Sequence, residues 1–127
     1  MHIDSHFDSG NIEVVDILDG HLADLKIIMD AGDEHMQWFY FRVDGARDED
    51  CTLRILNAGE ASYPKAWDGY RVCTSVDRQT WTRVDTHFAD GVLSIEHRPE
   101  GQMQWYAYFA PHTHEQHLEL LSECQLS

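Results

Sequence analysis

Met36-Gln37-Trp38-Phe39-Tyr40-Phe41-Arg42-Val43 is the stretch on which the fold turns. In a β-strand successive side chains point to opposite sides, so Gln37, Phe39, Phe41 and Val43 share one face. Met36, Trp38, Tyr40 and Arg42 share the other. Both faces are largely apolar, which predicts a strand inside a sheet with cover on both sides.

Working outward, glycines punctuate the chain, and four follow aspartate: Asp19-Gly20, Asp44-Gly45, Asp68-Gly69 and Asp90-Gly91. Aspartate tolerates positive φ and glycine adopts it freely, so such pairs suit tight turns. Short apolar runs lie between the turns: Asn11 to Leu18, Leu22 to Met29, Cys51 to Asn57, Tyr70 to Val76, Trp81 to Asp85, Gly91 to His97 and Met103 to Phe109. With a first strand at Ile3 to Phe7, the expectation is an all-β, antiparallel β-sandwich of about nine strands. Ala58 to Gly69 is the longest turn-like stretch and carries Tyr63, Pro64 and Trp67, read as a loop tucking aromatics over a core edge. Beyond Pro111 the pattern changes. Thr113 and Gln116 fit a capping box, and Leu118, Leu121 and Cys124 recur on one helical face. The expected organisation is a sandwich domain over residues 1–111 and a helix over 112–127.

The chain has 127 residues, 43% of them hydrophobic, and a formal charge of −14. That length suits one folded domain, and the apolar content argues against disorder. The charge argues against nucleic acid and anionic membrane surfaces as partners, because both require basic neutralisation. No apolar run is long enough to span a bilayer, and the N-terminus lacks a signal-peptide pattern. Cys51, Cys73 and Cys124 are odd in number and widely spaced, which suggests reduced thiols and a cytoplasmic location.

Chemistry-bearing clusters are sparse. His112, His114 and His117 could bind a metal adventitiously, and His112 with Glu115 makes a His-x-x-Glu. A catalytic zinc needs a third protein ligand, and few residues follow His117. His2, Asp4 and His6 share a strand face at a frayed terminus. No phosphate-binding loop or nucleophile signature is present. On residue chemistry alone the segment is expected to be non-catalytic, with no cofactor of its own.

Ordered landmarks resemble one family. Phe7-x-Ser9-Gly10-Asn11 is similar to the opening of the cytosolic carboxypeptidases, the tubulin-deglutamylase-like branch of the zinc metallocarboxypeptidases, which has bacterial members. Gln37-Trp38-Phe39-Tyr40-Phe41-Arg42 resembles their Gln-Trp-Phe-x-Phe-Arg strand. Asn57 with Tyr63-Pro64, Trp81-x-Arg83-Val84 and Tyr106 to Pro111 resemble later landmarks, while His112 departs from the family's usual Tyr. The resemblance implies an N-terminal sandwich domain preceding a peptidase domain that is absent here. The zinc ligands and catalytic Glu would lie in that domain, which would be this segment's partner. It implies a role in packing on the peptidase domain and shaping substrate access. Asn11, Gln37, Trp38, Arg42, Asn57, Tyr63 and Trp81 are the landmark or interdomain positions. It also implies an exposed docking face, which a dimer could cover. The alternative is a stand-alone sandwich that binds glycan or protein through exposed tryptophans.

Overall fold

The aromatic strand lies inside a sheet, as its two apolar faces require. In a computed structural model that describes residues 1–7, 10–18, 21–28, 39–60, 67 and 69–108, it appears as β4 (Tyr40–Asp44). β4 is flanked by β1 (His2–Asp4) and β10 (Met103–Ala107), both antiparallel to it. β6 (Cys73–Ser75) and β7 (Thr82–Arg83) complete the first sheet, in the order β1-β4-β10-β6-β7. The second sheet contains β2 (Glu13–Ile17), β3 (Leu22–Lys26), β5 (Cys51–Ile55), β8 (Thr86–Ala89) and β9 (Val92–His97), in the order β2-β3-β5-β9-β8.

Both sheets feed one core. Ile3, Phe41, Val43 and Tyr106 come from the first, and Ala23, Leu25, Leu53, Ile55, Leu93 and Ile95 from the second. Phe41 stacks on Tyr106 with centroids 5.5 Å apart. At one end of this core Trp67 is buried, its indole N–H donating to the Ala58 carbonyl at 2.9 Å. Its ring meets Phe39, Tyr70, Phe88 and Tyr108. The outer face of the first sheet is covered as well. There Tyr40, Trp105 and Ala107 are buried beneath Phe7 and Trp81.

Three departures from the sequence reading have physical causes. The sheets are not wholly antiparallel, since β3 pairs parallel with β5. The chain leaves the second sheet after β3, runs through β4 in the first and returns, so β5 re-enters in the direction of β3. The described residues form ten strands. The run Trp81 to Asp85 is not one strand but a change of layer. The Val84 N–H bonds the Val72 carbonyl at 3.0 Å, whereas the Asp85 carbonyl accepts from the Glu96 N–H of the other sheet at 3.0 Å. The chain then continues as β8, over residues the sequence reading assigned to no strand. Finally, Cys51 is a buried free thiol but Cys73 is disulfide-bonded, which departs from the expectation of reduced cysteines. The helix expected over 112–127 lies outside the described residues.

The Asp-Gly signal is most direct between β8 and β9. Ala89 pairs with Val92, leaving Asp90 (φ 53°) and Gly91 (φ 79°) as a two-residue loop with both φ positive. Behind this loop the Gly59 N–H donates to the Gly91 carbonyl at 2.8 Å. A Cβ at Gly59 would fall 2.7 Å from the Gly91 Cα. The contact is backbone on backbone, so neither side can yield by rotating a side chain. Gly59→Ala is expected to destabilise the domain by about 1–3 kcal/mol, the usual range for overpacking. Urea unfolding checks this, and an unchanged midpoint would refute it.

Candidate functional site

Two asparagines singled out in the sequence meet at the exit of β3. The parallel β3–β5 ladder runs to the Leu56 N–H, which donates to the Leu25 carbonyl at 2.8 Å. Asn57 then continues it with its side chain. Its Oδ1 accepts from the Ile27 N–H at 2.9 Å, and its Nδ2 donates to the Ile27 carbonyl at 3.0 Å. The buried amide thus acts as one more peptide unit, and burial demands such pairing. Asn11 approaches from the other side, its Nδ2 donating to the Ile28 carbonyl at 2.9 Å. Its backbone exchanges hydrogen bonds with Tyr40, at 2.8 and 3.2 Å. Gln37, Trp38 and Tyr63 lie outside the described residues.

Arg42 stands on the outer face of the first sheet, between carboxylates. Its Nε lies 3.0 and 3.2 Å from the two Asp44 oxygens, and its guanidinium is 3.7 Å from Asp4 on the neighbouring strand. Further along that face Arg78 lies 5.2 Å from the centroid of Trp105 and hydrogen-bonds Tyr40, whose hydroxyl burial holds above its ordinary pKa. Trp81 packs edge-on to Tyr40, with its indole N–H buried and unpartnered. No described tryptophan is exposed: Trp67 and Trp105 are buried and Trp81 is half-buried. The paired exposed rings expected of a glycan-binding face are therefore missing among the described residues.

A polar groove of about 600 Å³ opens beside β5, β7 and β9. Arg98 binds Asp50 through two contacts, at 2.9 and 3.2 Å, and Arg71 meets Asp85 at 3.2 Å. Arg98 holds the Asp50 carboxyl below its usual range. Deeper in, His97 Nδ1 lies 2.8 Å from the Tyr106 hydroxyl, which also bonds Thr74. Thr74 donates to the Trp105 carbonyl at 2.7 Å and accepts from Gln104 Nε2 at 2.7 Å. Gln104 Oε1 in turn accepts from the Glu100 N–H at 3.1 Å. Burial lowers the His97 pKa and raises those of Tyr106 and Cys51. At neutral pH these groups are uncharged, and the thiol is no nucleophile. The chain of hydrogen bonds satisfies polar groups inside the core, which strand alternation could not reveal.

Among the described residues no three His, Cys, Asp or Glu side chains are grouped to hold a metal ion. His112, His114 and His117 lie outside them. The metal implied by the resemblance therefore has no ligand set among the described residues.

The sequence reading also missed an apolar edge. Val14, Val15, Leu18 and Ile28 are exposed on and beside β2 and β3. The signal was present in Val14-Val15, since adjacent apolar residues cannot share one strand face. Which of the two sides would be left uncovered depended on strand order.

A family model described as "Cytosolic carboxypeptidase N-terminal domain" matches residues 3–109. An uncharacterised Zymomonas mobilis protein is 40% identical over 122 residues, which is 96% of this chain and 32% of that protein. The structure is similar to that of a Shewanella denitrificans protein provisionally named a carboxypeptidase A, with TM-score 0.85, 44% identity and coverage of 99% of this chain and 34% of that one. It is also similar to a metallo-carboxypeptidase from Burkholderia cenocepacia, with TM-score 0.85, 39% identity and coverage of 96% and 32%. The chain spans about a third of the length of these relatives.

Asn57→Ala removes both partners of Ile27 at a buried site. Each orphaned group costs about 1–3 kcal/mol, so a clear fall in the urea midpoint is expected, with faster hydrogen exchange at the Ile27 amide. Asn57→Asp, which keeps the acceptor, should retain more of that amide's protection; equal exchange in the two variants would refute the pairing. His97 gives a second prediction. Its folded pKa is below the ordinary 6.5, so below that pH the unfolded chain binds more protons than the folded one. Stability is therefore expected to fall as pH drops below 6.5 and less steeply in His97→Gln. Thermal melts across that range that show identical slopes would count against it.

Proposed function

The chain belongs to the cytosolic carboxypeptidase N-terminal domain family, and on that premise we propose that it is a non-catalytic accessory domain of a zinc-dependent metallocarboxypeptidase. The observation that carries this reading is the match over residues 3–109 together with coverage of about a third of carboxypeptidase-like chains. The Pseudomonas aeruginosa metallo-carboxypeptidase, 36% identical to this chain, is solved in complex with (2-guanidinoethylmercapto)succinic acid. In the proposal the remaining two thirds of such a chain hold the metal and the catalytic residues. Zinc there would polarise the scissile carbonyl and activate water for removal of a C-terminal residue or a glutamate branch.

In this reading the domain's own residues serve packing and access. Asn11 and Asn57 fix the backbone at Ile27–Ile28, and Arg42 is held between Asp4 and Asp44, so these landmarks shape the domain rather than reach for substrate. Gln37, Trp38 and Tyr63 keep the interdomain role, as does Trp81 with its unpartnered indole N–H. With a charge of −14 the domain would repel acidic tails, so a pocket for such substrates belongs to the peptidase portion. A cytoplasmic location is part of the same proposal.

A peptidase assay tests it. The purified 127-residue chain, with and without added zinc, is expected to release no C-terminal residue or glutamate branch from model peptides. A chimera in which it replaces the first third of the Burkholderia cenocepacia metallo-carboxypeptidase is expected to hydrolyse them. Clear hydrolysis by the isolated chain would overturn the proposal, as would a folded but inactive chimera.

A further inference from the structure

The groove beside β5, β7 and β9 differs in charge from the chain as a whole. Its walls carry three arginines, Arg71, Arg83 and Arg98, and four carboxylates, against 9 basic and 23 acidic residues in the full sequence. It is therefore close to neutral within a chain of −14. Its volume of about 600 Å³ is that of a small-molecule site. The ion pairs along it do not exhaust its donors. Arg71 meets Asp85 through Nη2 alone, and both side chains are more than half exposed. Most of the Arg71 N–H groups are thus left without a protein partner among the described residues.

The hydrogen bonds beneath the groove fix which nitrogen of His97 carries the proton. Thr74 gives its hydroxyl hydrogen to the Trp105 carbonyl at 2.7 Å and accepts from Gln104 Nε2 at 2.7 Å. The Gln104 amide cannot be turned round, because its Oε1 accepts from the Glu100 and Gly101 N–H groups. Thr74 also bonds the Tyr106 hydroxyl, and with its own hydrogen already given it can only accept there. The single phenolic hydrogen of Tyr106 therefore goes to Thr74, and its oxygen accepts from His97 Nδ1 at 2.8 Å. His97 is thereby the Nδ1–H tautomer, and its Nε2 keeps a lone pair. His97 lines the groove, and Nε2 is neither buried nor hydrogen-bonded among the described residues. Burial lowers the His97 pKa, and the Glu100 carboxylate, also on the groove wall, acts in the opposite direction. The groove thus offers open guanidinium donors together with an uncharged acceptor and a carboxylate.

We propose that this groove is a binding site for a short zwitterionic peptide, its carboxylate taken by the groove's arginines and its ammonium by His97 Nε2 and Glu100. A lone anion would be repelled by the field of a chain at −14, and a lone cation would be drawn to its whole surface. A molecule that carries both charges escapes both effects and matches the mixed walls. The site belongs to this domain alone, so the proposal stands independently of the accessory-domain reading.

Titration of the 127-residue chain, followed by amide chemical shifts, tests it. Triglycine is expected to give saturable shifts at Thr52, Arg71 and Glu96 to Glu100. N-acetyl-triglycine and triglycine amide each lack one charge and are expected to bind at least about tenfold more weakly, the scale of one charge-assisted hydrogen bond. Triglycine with a trimethylated amine keeps both charges but no N–H to give His97, and the same loss is expected. Arg71→Gln and Glu100→Gln, both at exposed positions, are expected to weaken triglycine about tenfold without moving the melting temperature. Arg47→Gln, outside the groove, is expected to leave binding unchanged. Nitrogen chemical shifts of the His97 ring should show the proton on Nδ1. Absence of saturable shifts with triglycine would overturn the proposal, as would shifts scattered beyond the groove. Equal binding of the acetylated peptide would make it an anion site, and equal binding of the amide a cation site; either overturns it. Equal binding of the trimethylated peptide, or a proton on His97 Nε2, would remove the acceptor on which the assignment depends.

Discussion

The Asn57 amide completing the ladder at Ile27 is the interaction on which the rest of this domain depends. Parallel strands can be neighbours only if the chain leaves and returns, and here it returns by way of the opposite sheet. The β3–β5 pair therefore joins two stretches of chain that embrace the aromatic strand β4. Asn57 secures the end of that pair, and Asn11 ties the same end to β4 through Tyr40. Both layers are thereby registered at one point. The Phe41–Tyr106 stack and the Trp67 cluster fill the space this registration leaves.

The strongly acidic composition is managed by placement. Arg42, Arg54, Arg71 and Arg98 each sit against an aspartate, on the outer faces and in the groove. Exposed pairs of this sort contribute little to stability. Their effect is to set these four cations beside carboxylates of the strands and the groove. The core needs none of them. Its polar members, Gln104, Thr74, Tyr106 and His97, satisfy one another and nearby backbone groups.

The same economy explains which parts of the candidate site could be read from the residues. Phe41 and Val43 had to be buried because alternation placed them on an apolar face, and both are. Asp90-Gly91 had to turn, because two successive positive φ angles suit that pair. Asn57 stood out as an amide inside an apolar run, but its partner at Ile27 is 30 residues away and no local pattern names it. Val14 and Val15 showed apolar character on both sides of one strand. The same pattern marks covered β4 and edge strand β2, and only strand order separates them.

By itself the sequence determined an all-β domain, the positions of most strands, two-sided cover for the aromatic strand and the family to which the chain belongs. These follow from local terms: side-chain alternation, turn geometry and ordered landmark residues. The tertiary structure alone decided the parallel β3–β5 pair, the change of layer at Val84–Asp85, the closure of the β3 exit by Asn11 and Asn57, and the placing of β2 at the outside of its sheet. Each of these depends on which distant strands become neighbours. That choice is made by burial summed over the whole core, and no window of sequence contains it.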